Sequence, residues 1–252
     1  MTPAVVVDIG NTRMKWGFCH AGQITSTVSL DGDDLASWEK TLPDGTGQGS
    51  IWAVASVHPE RLGQLQNWAI EHGITVRVID SFRQLPLQLN VEFPERVGID
   101  RLLNAVSAKS LLPDGTPGIV VDVGTAVTID YLDADHVFQG GAILPGPRLM
   151  FEAMHRHTAK LPLIATHRIP GHQPPGKNTD DAMSVGVMAA QIGAVEFLVR
   201  DYASRFVTPP WLFMTGGAVG SLHGHNFSGV DRVVFDPLLT LKGILLAAKG
   251  LS

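Results

Sequence analysis

Two short stretches of the chain place an aspartate, a glycine and small polar residues directly after an apolar run. Residues 5–12 read VVVDIGNT, and residues 119–125 read IVVDVGT. A continuous Val/Ile run is typical of a buried parallel strand, and ligands of open α/β sheets bind beyond the carboxyl ends of such strands. A glycine lets the backbone approach phosphate oxygens closely, and a carboxylate can hold a cation through water. The two stretches together predict a pair of facing turns that clamp a nucleotide.

A simpler interpretation of Asp8 and Asp122 is that each caps its own turn, which aspartate does readily through nearby backbone groups. The recurrence of one pattern at two equivalent places favours a ligand-binding role instead. A third acidic candidate, Asp100, lies in the sequence GIDR at residues 98–101, before an apolar helix. From the residues alone, Asp100 is predicted to be an N-cap, with Arg101 as a solvated neighbour.

The elements that position these residues follow an α/β pattern that occurs twice. Each half opens with a buried strand that ends in Asp-x-Gly and continues into a hairpin. A predicted helix from about residue 101 to 112 ends at PDGTP, residues 113–117, which marks the boundary between the halves. We therefore predict an α/β protein with two duplicated domains, residues 1–115 and 116–252, and a nucleotide cleft between them.

The composition narrows the class of partner. The chain has 252 residues, 44% of them hydrophobic, and a net charge of −5 with 19 Lys and Arg that form no run. This charge argues against a nucleic-acid surface and a polybasic membrane patch, so we expect a small-molecule partner. The single cysteine allows no internal disulfide and indicates a cytoplasmic protein. No segment is predicted to approach the roughly 18 apolar residues of a membrane span.

Six signatures in order connect these stretches to one enzyme family. They are DIGNT at 8–12, GIDR at 98–101, DVGTA at 122–126, GGAILPG at 140–146, GKNT at 176–179 and TGG at 215–217. Over nearly its whole length the sequence closely resembles type III pantothenate kinases, members of the acetate kinase, sugar kinase, heat-shock chaperone and actin superfamily. The resemblance implies an actin-like ATPase fold, with two ribonuclease-H-like domains and ATP between them.

The resemblance also implies a reaction and its cofactors. The γ-phosphoryl group of ATP is transferred to the primary hydroxyl of pantothenate, which gives 4′-phosphopantothenate in the first step of coenzyme A biosynthesis. Magnesium and a monovalent cation, potassium or ammonium, assist, and a homodimer completes each pantothenate site. The long helix predicted from Thr179 is rich in small residues and suits such an interface, although packing within one protomer would explain it equally.

Residue roles follow by the same resemblance. Asp100 becomes the general base rather than a helix cap, Asp122 binds the monovalent cation, and the TGG signature lies near the adenosine. The residues expected to bind ATP are Asp8, Ile9, Gly10, Asn11, Thr12, Arg13, Met14, Lys15 and Thr125. Those expected to bind pantothenate are Gly98, Ile99, Asp100, Arg101 and Thr179.

One departure from the family pattern bears on the acceptor. Many members carry a tyrosine seven residues before the GIDR glycine, where this chain has Val91, followed two positions later by Phe93. Neither side chain supplies the hydrogen bond of a phenol. Two alternatives stay open: a kinase of the same superfamily that acts on another small hydroxylated acid, or a nucleotide-binding accessory factor without turnover. The presence of Asp100 with Arg101 favours the enzyme.

Overall fold

The computed structural model describes residues 2–32, 34–43, 45–165, 174–222 and 224–250. In chain order the strands are β1 (Val5–Ile9), β2 (Met14–His20), β3 (Gln23–Leu30), β4 (Ile51–Ser56), β5 (Thr75–Val78), β6 (Gly118–Val123), β7 (Ala126–Leu132), β8 (Phe138–Pro145), β9 (Trp211–Thr215) and β10 (Arg232–Phe235). The helices are α1 (Leu35–Thr41), α2 (Pro59–Glu71), α3 (Ile99–Lys109), α4 (Pro147–His157), α5 (Thr179–Ala203) and α6 (Leu239–Gly250).

The chain folds into two compact units, each with its own five-stranded sheet. The first unit comprises residues 1–112, 136–139 and 238–252, and the second comprises residues 113–135 and 140–237. The strand orders are β3-β2-β1-β4-β5 and β8-β7-β6-β9-β10. In both sheets the opening strand pairs antiparallel with the second strand and parallel with the fourth. The predicted duplication is therefore present in the strand topology.

The first sheet buries different residues on its two faces because side chains alternate along a strand. Val5, Val7 and Ile9 of β1 belong to a core that holds four tryptophans, with ring centroids 4.7–6.2 Å apart in the contacting pairs. On the opposite face, Gly17 of β2 lies under Leu241 of α6. Asp8 alternates with Val7 and Ile9, so it lies on this second face.

The C-terminal helix α6 belongs to the first unit, although the predicted boundary at residues 115/116 placed it with the second half. The backbones of α6 and α3 approach each other closely at Gly243, because a Cβ there would overlap the carbonyl of Leu103. The buried Thr240 hydroxyl donates a hydrogen bond to Asn104 Oδ1 at 2.8 Å. Close packing and one buried polar pair thus connect α6 to the helix that carries Asp100.

Helix α5 is 25 residues long and passes a test of length and composition for crossing a membrane, with mean hydropathy 1.7 in its most apolar window. The expectation that no segment has the length and hydrophobicity of a membrane span is therefore wrong for this helix. Its apolar residues lie on all sides rather than along one stripe. Val195 and Val199 are buried in the core of the second unit, and a core helix passes the same test.

Candidate active site

The turn after β1 carries the DIGNT signature. Residues 10–13 connect Ile9 to Met14, and the Gly10 amide donates to the Arg13 carbonyl at 3.0 Å. A Cβ at Gly10 would lie 3.2 Å from that carbonyl oxygen, so close approach rather than a left-handed backbone favours glycine here. Asn11, Thr12 and Arg13 are exposed. The turn therefore presents its polar residues to solvent at the carboxyl end of a buried strand.

Asp8 and Lys15 flank this turn as directly opposed residues of the antiparallel β1–β2 pair. Opposed residues project from the same face of a sheet, so both side chains lie opposite the tryptophan core. Both residues are half-buried. One strand end thus holds a carboxylate suited to a hydrated cation and an ammonium suited to phosphate oxygens.

Arg61 of α2 contacts the same turn and was not identified from the sequence. Its Nη1 donates hydrogen bonds to the carbonyl oxygens of Gly10, at 3.3 Å, and Asn11, at 3.1 Å. One signal in the sequence could have found it. An arginine in the first turn of a helix lies at the positive end of the helix dipole, where a cation is unfavourable.

The start of α3 differs from the sequence-based expectation. Gly98, not Asp100, is the N-cap, and Asp100 lies in the first helical turn, where Oδ1 accepts a hydrogen bond from the Arg101 amide at 2.9 Å. A Cβ at Gly98 would lie 2.6 Å from Asp100 Oδ1. The glycine therefore leaves the space that the carboxylate occupies. A carboxylate in the first turn also interacts favourably with the helix dipole.

The two residues on either side of Asp100 in the GIDR signature have different surroundings. Ile99 is buried, so its side chain belongs to the core. Arg101 is not merely a solvated neighbour, because its guanidinium lies 5.9 Å from the ring centroid of the fully buried Phe138.

The departure from the family pattern involves two residues of different exposure. Val91 is half-buried. Phe93 is 46% exposed, and the guanidinium of Arg96 lies over its ring, 4.7 Å from the ring centroid.

The turn after β6 brings three signatures of the second unit together. Residues 124–126 connect Val123 to Val127, and the Gly124 amide donates to the Ala126 carbonyl at 2.9 Å. The Thr125 carbonyl accepts a hydrogen bond from the Gly146 amide at 3.0 Å. The Val123 carbonyl accepts one from the Ala218 amide at 2.9 Å. DVGTA therefore meets the end of GGAILPG and the residue that follows TGG.

Two glycines are required by this packing. Gly216 has φ +99°, and a Cβ there would lie 2.5 Å from both Asp122 Oδ1 and the Val123 amide. A Cβ at Gly146 would overlap the carbonyls of Gly124 and Thr125. Asp122 is half-buried, with Oδ1 against the TGG turn. Side chains at either glycine would displace the turn that holds Asp122 and Thr125.

Two oxygen atoms lie beside Gly216, one from the Asp122 carboxylate and one from the Val123 backbone. A Cβ at Gly216 would lie 2.5 Å from both Asp122 Oδ1 and the Val123 carbonyl. Within the residues that the structure describes, no group of three or more His, Cys, Asp or Glu could hold a metal ion.

Thr179 begins α5, and the GKNT signature explains how that helix starts. Asn178 is the N-cap, and its Oδ1 accepts a hydrogen bond from the Asp181 amide at 2.8 Å, while Gly176 packs directly on the backbone of Ala182. The exposed Thr179 lines an apolar cavity of about 740 Å³. The other lining residues are Pro145, Leu149, Met150, Ala153, Met154, Leu161, Ala182, Met183, Gly186 and Val187.

Comparisons of sequence agree with the signatures. A family profile described as type III pantothenate kinase matches residues 4–201. A type III pantothenate kinase from Caulobacter vibrioides is 35% identical, over 96% of this chain and 95% of that protein. Another from Listeria innocua is 32% identical, over 96% of this chain and 95% of that protein.

Comparisons of structure agree with the predicted fold class. A candidate Baf family transcriptional activator from Campylobacter jejuni has a TM-score of 0.61 at 21% identity, over 97% of each chain. The ethanolamine utilization protein EutJ from Carboxydothermus hydrogenoformans has a TM-score of 0.54 at 16% identity, over 96% of this chain and 89% of that chain. At this identity the likeness concerns fold alone. With the duplicated sheet topology, it confirms the α/β fold of two ribonuclease-H-like domains.

Proposed function

Because this chain belongs to the type III pantothenate kinase family, we propose that it phosphorylates pantothenate to 4′-phosphopantothenate with ATP, the first step of coenzyme A biosynthesis. One observation carries the assignment beyond family membership. The GIDR aspartate lies at the start of α3 beside a glycine whose missing side chain leaves room for the carboxylate. The hydroxyl that accepts the phosphoryl group requires a proton acceptor, and we assign this role to the Asp100 carboxylate.

Asp100 acts as the general base in this proposal. An alcohol is hardly ionised at neutral pH, so a carboxylate within hydrogen-bond reach accepts its proton as the new bond forms. The hydroxyl oxygen bonds to the γ-phosphorus, and the bond from that phosphorus to the oxygen of ADP breaks. ADP leaves with the electron pair, and Asp100 later releases the proton to solvent. Gly98, Arg101 and Thr179 are assigned to pantothenate.

Phosphoryl transfer needs positioned donors and charge neutralisation more than covalent help. The turn at residues 10–13 and Lys15 are assigned to the phosphates, and Thr125 to the nucleotide. Magnesium, held through water by Asp8, would neutralise charge on the phosphates when bound. A monovalent cation, potassium or ammonium, is assigned to Asp122 by membership of the family.

The same proposal includes a homodimer. The apolar cavity beside Thr179 and the apolar residues on all sides of α5 would be covered by a second copy, whose contribution completes the pantothenate site. A Cβ at Gly186 would meet nothing within 4 Å. Gly186→Arg should therefore keep the protomer folded, dissociate the dimer and raise the KM for pantothenate. Light scattering after size exclusion measures the mass, and a fully active monomeric wild type would contradict the shared site.

We place the enzyme in the cytoplasm, where ATP is available and thiols stay reduced. Cys19 is half-buried, and burial raises the pKa of its thiol to about 11. The thiol is therefore protonated at neutral pH and poorly reactive. The proposed reaction accordingly assigns no role to the Cys19 thiol.

A product assay tests the function. The protein is incubated with magnesium, ATP, potassium and pantothenate, and mass spectrometry detects 4′-phosphopantothenate. Asp100→Asn is the matched variant, because the amide keeps the size of the side chain but is not a base. Turnover should fall by roughly 10²–10⁴-fold with an unchanged Tm, as for loss of a general base.

Each alternative gives a different result in the same assay. ATP binding without any product would favour the accessory factor. Phosphorylation of another small hydroxylated acid, but not of pantothenate, would favour the second kinase. If Asp100→Asn turned over pantothenate at the wild-type rate, the base would lie elsewhere.

A further inference from the structure

We propose that Arg61 is a positioning residue of the nucleotide site, whose guanidinium holds the turn at residues 10–13 in the conformation that receives phosphate. The inference rests on the proposed function, since it assigns this turn to ATP. It concerns a residue outside all six signatures, on a helix to which the sequence assigned no function.

The geometry supports a direct connection across 50 residues of sequence. Nη1 of Arg61 donates to two successive carbonyl oxygens, those of Gly10 and Asn11. A trans peptide is planar, so its N–H points away from its C=O. With both carbonyls held toward Arg61, the amides of Asn11 and Thr12 point to the other side. Successive amides with one orientation form the concave donor arrangement that binds phosphate.

The position of Arg61 in α2 shows that its side chain does not support the start of its own helix. The helix begins at Pro59, so Arg61 lies in its first turn, where the helix dipole disfavours a cation. The cap of α2 does not depend on the Arg61 side chain, because His58 Nδ1 accepts from the Arg61 backbone amide. Removal of the guanidinium should therefore leave the stability of α2 unchanged or slightly higher.

A second contact fixes where the side chain lies. The buried Gly32 packs against it so closely that a Cβ there would lie 2.6 Å from both Cδ and Nε of Arg61. Gly32→Ala would consequently move the guanidinium without changing its charge. The chain thus offers two independent ways to disturb one contact.

The test combines substitutions that separate charge from geometry. Arg61→Gln removes the cation, whereas Arg61→Lys keeps it on a shorter side chain without the planar fork. Arg83→Gln is the control, since Arg83 is an exposed arginine of the same unit. We measure the KM for ATP and for pantothenate, ATP binding without acceptor, the Tm, and hydrogen exchange of the Asn11 and Thr12 amides.

Arg61→Gln should raise the KM for ATP by roughly ten-fold or more, the loss expected for a charged hydrogen bond. The KM for pantothenate should stay within about two-fold, and the Tm should not fall. Arg61→Lys should recover less than half of the loss. Gly32→Ala should act in the same direction, and the double variant Gly32→Ala/Arg61→Gln should be no worse than Arg61→Gln alone. With ATP bound, exchange at Asn11 and Thr12 should be faster in each Arg61 variant than in wild-type protein.

Three results would overturn the inference. They are wild-type ATP binding in Arg61→Gln, full recovery in Arg61→Lys, or a large fall in Tm with equal losses for both substrates. Failure of the proposed function is a different outcome, because wild-type protein would then form no 4′-phosphopantothenate, whether or not it binds ATP. ATP binding measured without acceptor would still report whether Arg61 supports the nucleotide site.

Discussion

In the first unit, the turn after β1 spans residues 10–13, and two of its carbonyls accept hydrogen bonds from the Arg61 side chain. In the second unit, the turn after β6 spans residues 124–125, and the carbonyl of Thr125 accepts from the backbone amide of Gly146. The strand order around the two turns is the same. Equivalent positions in a duplicated fold are therefore supported by different chemical groups.

This difference determines which substitutions each turn tolerates. A side chain that holds a turn can be removed without any change of backbone packing, so substitution affects the ligand more than the fold. Glycines packed against carbonyls leave no space for a Cβ, so substitution displaces the backbone itself. We expect the second turn to be sensitive in stability and the first to be sensitive in ATP affinity.

The largest expected effect is on the second turn. Gly216→Ala should lower stability by roughly 2–5 kcal/mol, because an alanine must adopt φ near +99° and meets Asp122 and Val123 at 2.5 Å. Gly217→Ala is the matched control, since a Cβ there would meet nothing within 4 Å. Thermal unfolding followed by circular dichroism measures both. Equal Tm values for the two variants would refute the packing requirement.

An effect of intermediate size is expected on the cation dependence of the rate, which should differ between variants of Asp122 and Asp8. Asp122→Asn should abolish the dependence of the rate on added potassium, whereas Asp8→Asn should keep that dependence and require more magnesium. Asparagine still caps a turn, so neither change should alter the Tm greatly. Rates measured against each ion give the result. Wild-type potassium dependence in Asp122→Asn would eliminate its role as an ion ligand and favour a turn cap.

The smallest effect is expected for the glycine of the first turn. A Cβ at Gly10 would lie 3.2 Å from the Arg13 carbonyl, which a shift of a few tenths of an ångström relieves. Gly10→Ala should raise the KM for ATP by about two- to five-fold, equivalent to less than roughly 1 kcal/mol. The Tm should change little. Gly63→Ala in α2 is the control, since it has open space and should leave the KM unchanged. A Tm loss as large as that of Gly216→Ala would abolish the contrast between the turns.

Much of the architecture could be predicted because its signals are local. The buried strands β1 and β6 follow from continuous Val and Ile runs, and their ends follow from Asp-x-Gly. The duplication follows from the recurrence of that pattern. The helix of Asp100 was predicted, but its first residue was not, because Gly98 and Asp100 are both acceptable N-caps by residue type.

The sequence by itself identified the candidate site residues, since an aspartate beside a glycine at a strand end is a pattern of neighbours along the chain. Only the tertiary structure decided which distant residues support them. Arg61 reaches the first turn from another helix, and α6 returns from the C-terminus to pack on α3. Such contacts depend on how separate elements pack against each other. The spacing of residues within one element therefore does not identify its partner.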